Sequence, residues 1–210
     1  MKEPQQVKQN NPTDVAFSPS VKQAQVRKGS RRGYANMRME STISVDLAHF
    51  IAERDSFYMA TASADGQPYI QHRGGPKGFL NVVDEKTLIF ADFKGNRQFI
   101  STGNLDENDK VYLFLMDYAN KQRIKIWGTA EVIEGDEELL SSLMPAKYRA
   151  KGEQVIRITI SAWDANCPQH IPQKFAAEDI TGALNSRDAR IKDLEAEVKR
   201  LKTQNRRAGK

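Results

Sequence analysis

Cysteine is nearly absent from these 210 residues: Cys167 stands alone, so no intrachain disulfide can form. Histidine is almost as scarce, and His49, His72 and His170 fall at spacings that suit no zinc site. No apolar run approaches the roughly 20 residues that span a bilayer. The opening MKEPQQVKQNNP has no apolar centre of the kind a secretory signal needs. These gaps lead to the expectation of a soluble, cytoplasmic protein with no membrane partner. Catalytic signatures are missing too. No Ser-His-Asp arrangement is visible, the Gly…Gly-Lys-Ser/Thr spacing of a nucleotide P-loop is absent, and paired Glu137-Glu138 sit where a solvated helix is expected. Cys167 has no neighbouring base in sequence, which argues against a thiolate nucleophile.

What is present is charge, unevenly placed. Residues 1–40 carry 8 Lys and Arg against 3 Asp and Glu; residues 187–210 carry 9 against 4. The stretch between them has 15 against 20, so an acidic body lies between two basic ends. Basic ends can contact nucleic acid or a membrane surface, or simply remain solvated. The acidic body argues against a broad nucleic-acid groove.

Three parts are expected: a basic, partly disordered extension over 1–40, a compact domain over 41–180, and a basic helix over 181–210. Residues 1–20, rich in Gln, Asn, Pro and Ser, have little to bury and read as disordered. TISVDLAHFIAERD reads as a helix capped by Ser44, with Leu47, Phe50 and Ile51 as its apolar stripe. FYMATAS, PYIQHR, the pair in FLNVVDEKTLIFADF, the two long strands of KVYLFLMDYANKQRIKIWGTAEVIE, and EQVIRITISAW then read as strands joined by short turns. Hairpin connections without repeated helical crossovers predict a mainly β fold, a six- to seven-stranded antiparallel barrel with peripheral helices, closed or nearly so. In the last helix Leu184, Ile191, Leu194, Val198 and Leu201 follow spacings of 7, 3, 4 and 3, an a/d pattern over little more than two heptads. That helix can pair with its twin as a short coiled coil or dock on the body.

Chemistry concentrates in FADFKGNRQFIS. If Asn96 opens a helix, its side chain caps the first free amides, and Arg97 and Ser101 share a face while Phe99 turns to the core. Lys94 reaches in from the turn. A guanidinium fork, a hydroxyl, an ammonium and backbone amides suit a phosphate; the competing reading is a solvated turn. In PYIQHRGGPKG, alternation puts Tyr69, Gln71 and Arg73 on one face and Ile70 and His72 on the other. His72 reads as a packed residue. In WDANCPQHIPQKF, Trp163, His170 and Phe175 either wall a planar ligand or, for Trp163, anchor the core.

MATASADGQPYIQHRGGP, LIFADFKGNRQ and RIKIWGTAEVI, taken in order over about residues 45–175, resemble the FMN-binding split barrels related to pyridoxamine 5′-phosphate oxidase. The resemblance implies that Arg97 and Gln98 contact the FMN phosphate, that Ala91 and Asp92 lie along the flavin, and that Arg73 supplies a second cation. It also implies a homodimer with flavin at the subunit interface. With the residue reading, it gives a cofactor set of Gln71, Arg73, Ala91, Asp92, Lys94, Asn96, Arg97, Gln98, Ser101, Trp163 and His170. Gln71, Trp163 and His170 are expected to line the reacting face. The implied activity is a flavin-dependent oxidoreductase that passes electrons from a small-molecule donor to an acceptor. A non-catalytic flavin- or haem-binding protein and a deazaflavin-dependent reductase are the alternatives. True pyridoxamine 5′-phosphate oxidases end in an Arg-x-His-Asp-Arg-like segment. NCPQHIPQKF has no Arg there, so vitamin B6 oxidation is not expected.

Overall fold

Strand-forming residues dominate the middle of the chain, and a computed structural model that describes residues 11–165 and 168–208 shows where they go. The chain divides into two compact units, Met1–Asp117 with Gln122–Gln169, and Tyr118–Lys121 with His170–Lys210.

The first unit holds a seven-stranded sheet, antiparallel throughout, in the order β2-β1-β5-β6-β7-β4-β3. The strands are β1 Ser56–Ala62, β2 Pro68–Gly74, β3 Asn81–Val82, β4 Thr87–Phe93, β5 Lys110–Asp117, β6 Gln122–Ile133 and β7 Gly152–Ala165. The ladder does not close, and β2 and β3 are its edges. The sheet is nonetheless rolled. Phe57 of β1 meets Phe90 of β4 edge-on at 5.3 Å, and Arg73 of β2 pairs with Asp92 of β4, although β2 and β4 stand first and sixth in the order. The expected barrel is therefore split, and side chains rather than backbone bonds bridge the gap.

The core lies inside this roll. Phe57, Met59, Leu88, Phe90, Leu113, Leu115, Ile126, Ile156 and Ile158 are each at most 1 % exposed. Each such side chain contributes about 1.5–3 kcal/mol through removal from water. The alternation in β5 runs buried-intermediate almost without interruption, as a strand with one face inward requires. Gly128 sits at a register shift between β6 and β7. A Cβ there would stand 2.3 Å from the Thr159 carbonyl oxygen, so the bulge admits only glycine.

The helices of this unit are short: α1 Pro19–Arg27, α2 Arg31–Tyr34, α3 Val45–Ala52, α4 Ile100–Glu107 and α5 Glu137–Leu143. Ser44 caps α3 by accepting from the Leu47 amide at 3.2 Å, and Leu47 and Ile51 are its buried stripe, as the sequence predicts. The expectation of disorder over 1–20 fails for its second half. Pro12–Val15 form a 3-10 helix, and the buried Thr13 hydroxyl donates to the Met37 carbonyl at 3.1 Å and accepts from the Met39 amide at 2.9 Å. A composition poor in apolar residues missed this because the attachment is polar and spans 24 to 26 residues. Residues 1–10 and Cys167 lie outside the described residues.

In the second unit, the Lys174 ammonium lies 4.7 Å from the Tyr118 ring, and the Gln173 amide donates to the Ala119 carbonyl at 2.8 Å. The helix α6, Ala177–Ala208, runs 32 residues, starting earlier than the 181 expected for it. Among the described residues, no helix is long and apolar enough to cross a membrane.

Candidate functional site

Strand alternation does what the sequence predicts for β2. Tyr69, Gln71 and Arg73 are half-buried on one face, and Ile70 and His72 are exposed on the other. The inward face of β2 and the end of β4 form two walls of a shallow concavity. The loop 94–99, the start of α4 and the start of β7 complete it. Gln71, Arg73, Asp92, Asn96, Arg97, Gln98, Ser101 and Glu153 are among its lining residues.

The helix α4 has little apolar surface to hold it, with Ser101 and Leu105 as its buried residues. Polar tethers fix it instead. The Ser101 hydroxyl donates to Gln71 Oε1 of β2 at 3.1 Å. Asn104 Nδ2 donates to the Thr61 hydroxyl of β1 at 2.9 Å, and Gln154 Nε2 of β7 donates to the Thr102 hydroxyl at 2.9 Å. The helix is thus laced to strands on both sides of the split.

The expected start of this helix needs correction. It begins at Ile100, not at Asn96. Asn96 Oδ1 accepts from the Gln98 amide at 3.2 Å, a local turn ahead of the helix. Arg97 and Phe99 adopt left-handed φ values of 59° and 51°, so the chain between Gly95 and Ile100 is not helical. Arg97 and Ser101 therefore do not share a helical face, and Phe99 is 44 % exposed rather than turned to the core. Phe99 is the N-cap residue, and no side chain caps the first amides of α4. Those amides remain available at the edge of the concavity.

Arg73 and Asp92 form a buried ion pair in the wall. Asp92 Oδ2 also accepts from Gln154 Nε2 at 3.1 Å, whereas Arg73 Nε is buried with no partner. Burial pushes the Asp92 carboxyl above its usual range, against the lowering influence of Arg73 and Gln154. Burial likewise lowers the Arg73 pKa, and the Asp92 charge opposes that change. Desolvation thus outweighs pairing on both sides. At the mouth, the Arg97 guanidinium is 56 % exposed and 3.7 Å from Glu153 Oε1; Glu153 Oε2 is buried without a partner.

The remaining expected residues fall as follows. Lys94 is exposed, and with Ala91 it lines a second concavity that shares Gln71, Arg73 and Asp92 with the first. Trp163 is partly buried against the core, and its indole donates to the Thr42 carbonyl at 2.8 Å; it does not line the first concavity. His170 belongs to the second unit, exposed and with φ of 64°. Glu153, Gln154 and Thr102 escaped the sequence reading. Gln154 lies 62 residues from Asp92, and no local pattern announces that contact.

A rolled, split antiparallel sheet with an uncapped helix at its gap defines the class. The chain belongs to the pyridoxamine 5′-phosphate oxidase family, whose description matches residues 45–167. Among curated proteins nothing matches. Solved structures with a similar fold include a protein described as a pyridoxamine 5′-phosphate oxidase from Lactobacillus delbrueckii, at 22% identity and TM-score 0.47, covering 60% of this chain and 95% of that one. An FMN-binding protein from Syntrophomonas wolfei is similar at 14% identity and TM-score 0.46, covering 70% and 95%. The haem storage protein HutZ from Vibrio cholerae is similar at 16% identity and TM-score 0.41, covering 56% and 89%.

Proposed function

We propose that this protein binds FMN at the split and works as a flavin-dependent oxidoreductase. The observation that carries the reading is a convergence of unspent donors: the uncapped amides of α4 and the buried, partnerless Nε of Arg73 both border one concavity. The donor set fits a phosphate. Asn96, Arg97, Gln98 and the backbone amide of Ser101 would hold it, with Lys94 adding charge from the adjoining concavity. Arg73 and Arg97 are balanced in the lining by Asp92 and Glu153. Binding a dianion therefore requires Arg97 to leave Glu153, which its exposure permits. When bound, the flavin supplies the redox chemistry, and the chain supplies position and electrostatics. Ala91 and Asp92 would border its ring. A second copy of the chain would complete the pocket, as the resemblance implies, with β2 offering an open edge and exposed Ile70 beside it.

Titration of the protein with FMN and with riboflavin, read by quenching of flavin fluorescence, tests this. FMN should bind at least about tenfold more tightly than riboflavin, since its phosphate adds charge-assisted hydrogen bonds. Arg97→Glu should abolish that preference while the fold is retained. Equal affinity for the two flavins would sink the proposal. Steady turnover of reduced nicotinamide with a dye acceptor separates an oxidoreductase from a protein that only stores the cofactor. Mass spectrometry of the ligand released from the purified protein separates FMN from a deazaflavin or haem.

A further inference from the structure

The helix α6 carries an exposed apolar stripe. Ile180, Leu184, Ile191, Leu194, Val198 and Leu201 are each between 43 % and 52 % exposed. At 32 residues the helix is about 48 Å long. Helices in water owe most of their stability to burial of such a face against something. Lettered by heptad, Leu184, Ile191, Val198 and Asn205 fall at a, and Ile180, Arg187, Leu194 and Leu201 at d. Arg187 interrupts the seam at one d position, so the continuous part runs from Ile191 to Asn205.

We infer that α6 pairs with α6 of a second copy of this chain as a parallel, in-register, two-stranded coiled coil. Three features select that occupant. The seam has β-branched Ile191 and Val198 at a with Leu194 and Leu201 at d, the combination that favours parallel dimers. Asn205 at a adds a polar layer of the kind that fixes register. The flanking charges then decide orientation. In a parallel pair each g residue faces the e residue five positions further along the other helix. Arg190 therefore faces Glu195, and Glu197 faces Lys202, both opposite in sign and both repeated by symmetry. An antiparallel pair centred on the same seam brings Glu195 near Glu195 and Glu197 near Glu197, which repel. Away from the seam, Lys192, Asp193, Lys199, Arg200 and Thr203 are polar and exposed, and Ala196 among them is small and exposed, as an outer face allows. This inference makes no use of the cofactor site.

Disulfide capture tests it in the full chain carrying Cys167→Ser. Asn205→Cys puts a thiol at an a position, next to its twin in a parallel pair. Thr203→Cys puts one on the outer face. Under mild oxidation, cross-linking through Asn205→Cys should run about a hundredfold faster than through Thr203→Cys, because pairing raises the local thiol concentration. Leu194→Asp with Val198→Asp should remove that advantage while near-UV circular dichroism shows the first unit still folded. Glu195→Lys should slow the reaction, and adding Arg190→Glu should restore it. Equal rates at 205 and 203, as expected if α6 docks elsewhere or on nothing, would overturn the inference. So would an advantage that survives the double Asp variant, because the chains would then be held together by another surface. Fast cross-linking between Asn205→Cys and Arg187→Cys chains, with none among Asn205→Cys chains alone, would indicate antiparallel pairing and equally overturn it.

Discussion

Two Arg–Asp pairs in the first unit are buried to a similar degree and differ in what surrounds them. Arg54 is saturated. It reaches Asp117 at 3.0 Å, donates through Nε to the Phe50 carbonyl and through a terminal nitrogen to the Met116 carbonyl, both at 3.1 Å, and lies 4.5 Å over the Phe50 ring. Arg73 meets Asp92 but keeps its buried Nε without a partner, and it lines two adjoining concavities. A buried donor left unspent costs free energy. The first pair is a structural rivet tying the end of α3 to the end of β5. The second leaves a buried donor unpaired at the edge of the concavity.

Substitutions should separate the two, the largest effect coming from the rivet. Arg54→Met takes the counter-charge from Asp117 and should cost about 3–5 kcal/mol in denaturant unfolding, with little change in flavin affinity of the molecules still folded. Asp92→Asn also takes a counter-ion from a buried charge, Arg73, but unlike Arg54→Met it should change flavin affinity. It keeps the shape, removes a negative charge from the concavity, and should tighten FMN binding several-fold in the fluorescence titration. Its stability signature depends on pH. The folded Asp92 pKa is raised above the ordinary value of 3.8, so its favourable contribution is complete below that pH and is lost as pH climbs through the raised value. Relative to Asp92→Asn, the wild-type protein should therefore lose stability as pH rises across that window; a difference that is flat with pH, measured by urea midpoints, would contradict the desolvated site described here. The smallest effect on stability belongs to Arg97→Ala. Its exposed side chain should matter by no more than about 0.5 kcal/mol to unfolding, while phosphate affinity falls.

The sequence made the strands legible because their signals are local. The alternation in PYIQHR placed Tyr69, Gln71 and Arg73 on one wall, and Ser44 marked the start of α3. It also singled out the loop 94–99, which borders the concavity. What it could not show was the path of that loop. Left-handed backbone at Arg97 and Phe99 has no glycine to announce it, and it delays the helix to Ile100. The pairing of Arg73 with Asp92 was equally hidden, since it depends on the sheet rolling until strands far apart in the ladder face each other. Thr13 shows the same limit at the N-terminal end, where a single buried hydroxyl anchors a segment whose composition suggests none.

The polar lacing of α4 has one more consequence. A sheet held by continuous backbone ladders opens as a whole, whereas a helix moored by Gln71, Thr61 and Gln154 through its own side chains can detach by itself at lower free energy. Amides of α4 should therefore exchange with solvent well before those of β5 and β6. Access to the concavity would then be through a hinged hatch, with the hull of the vessel intact.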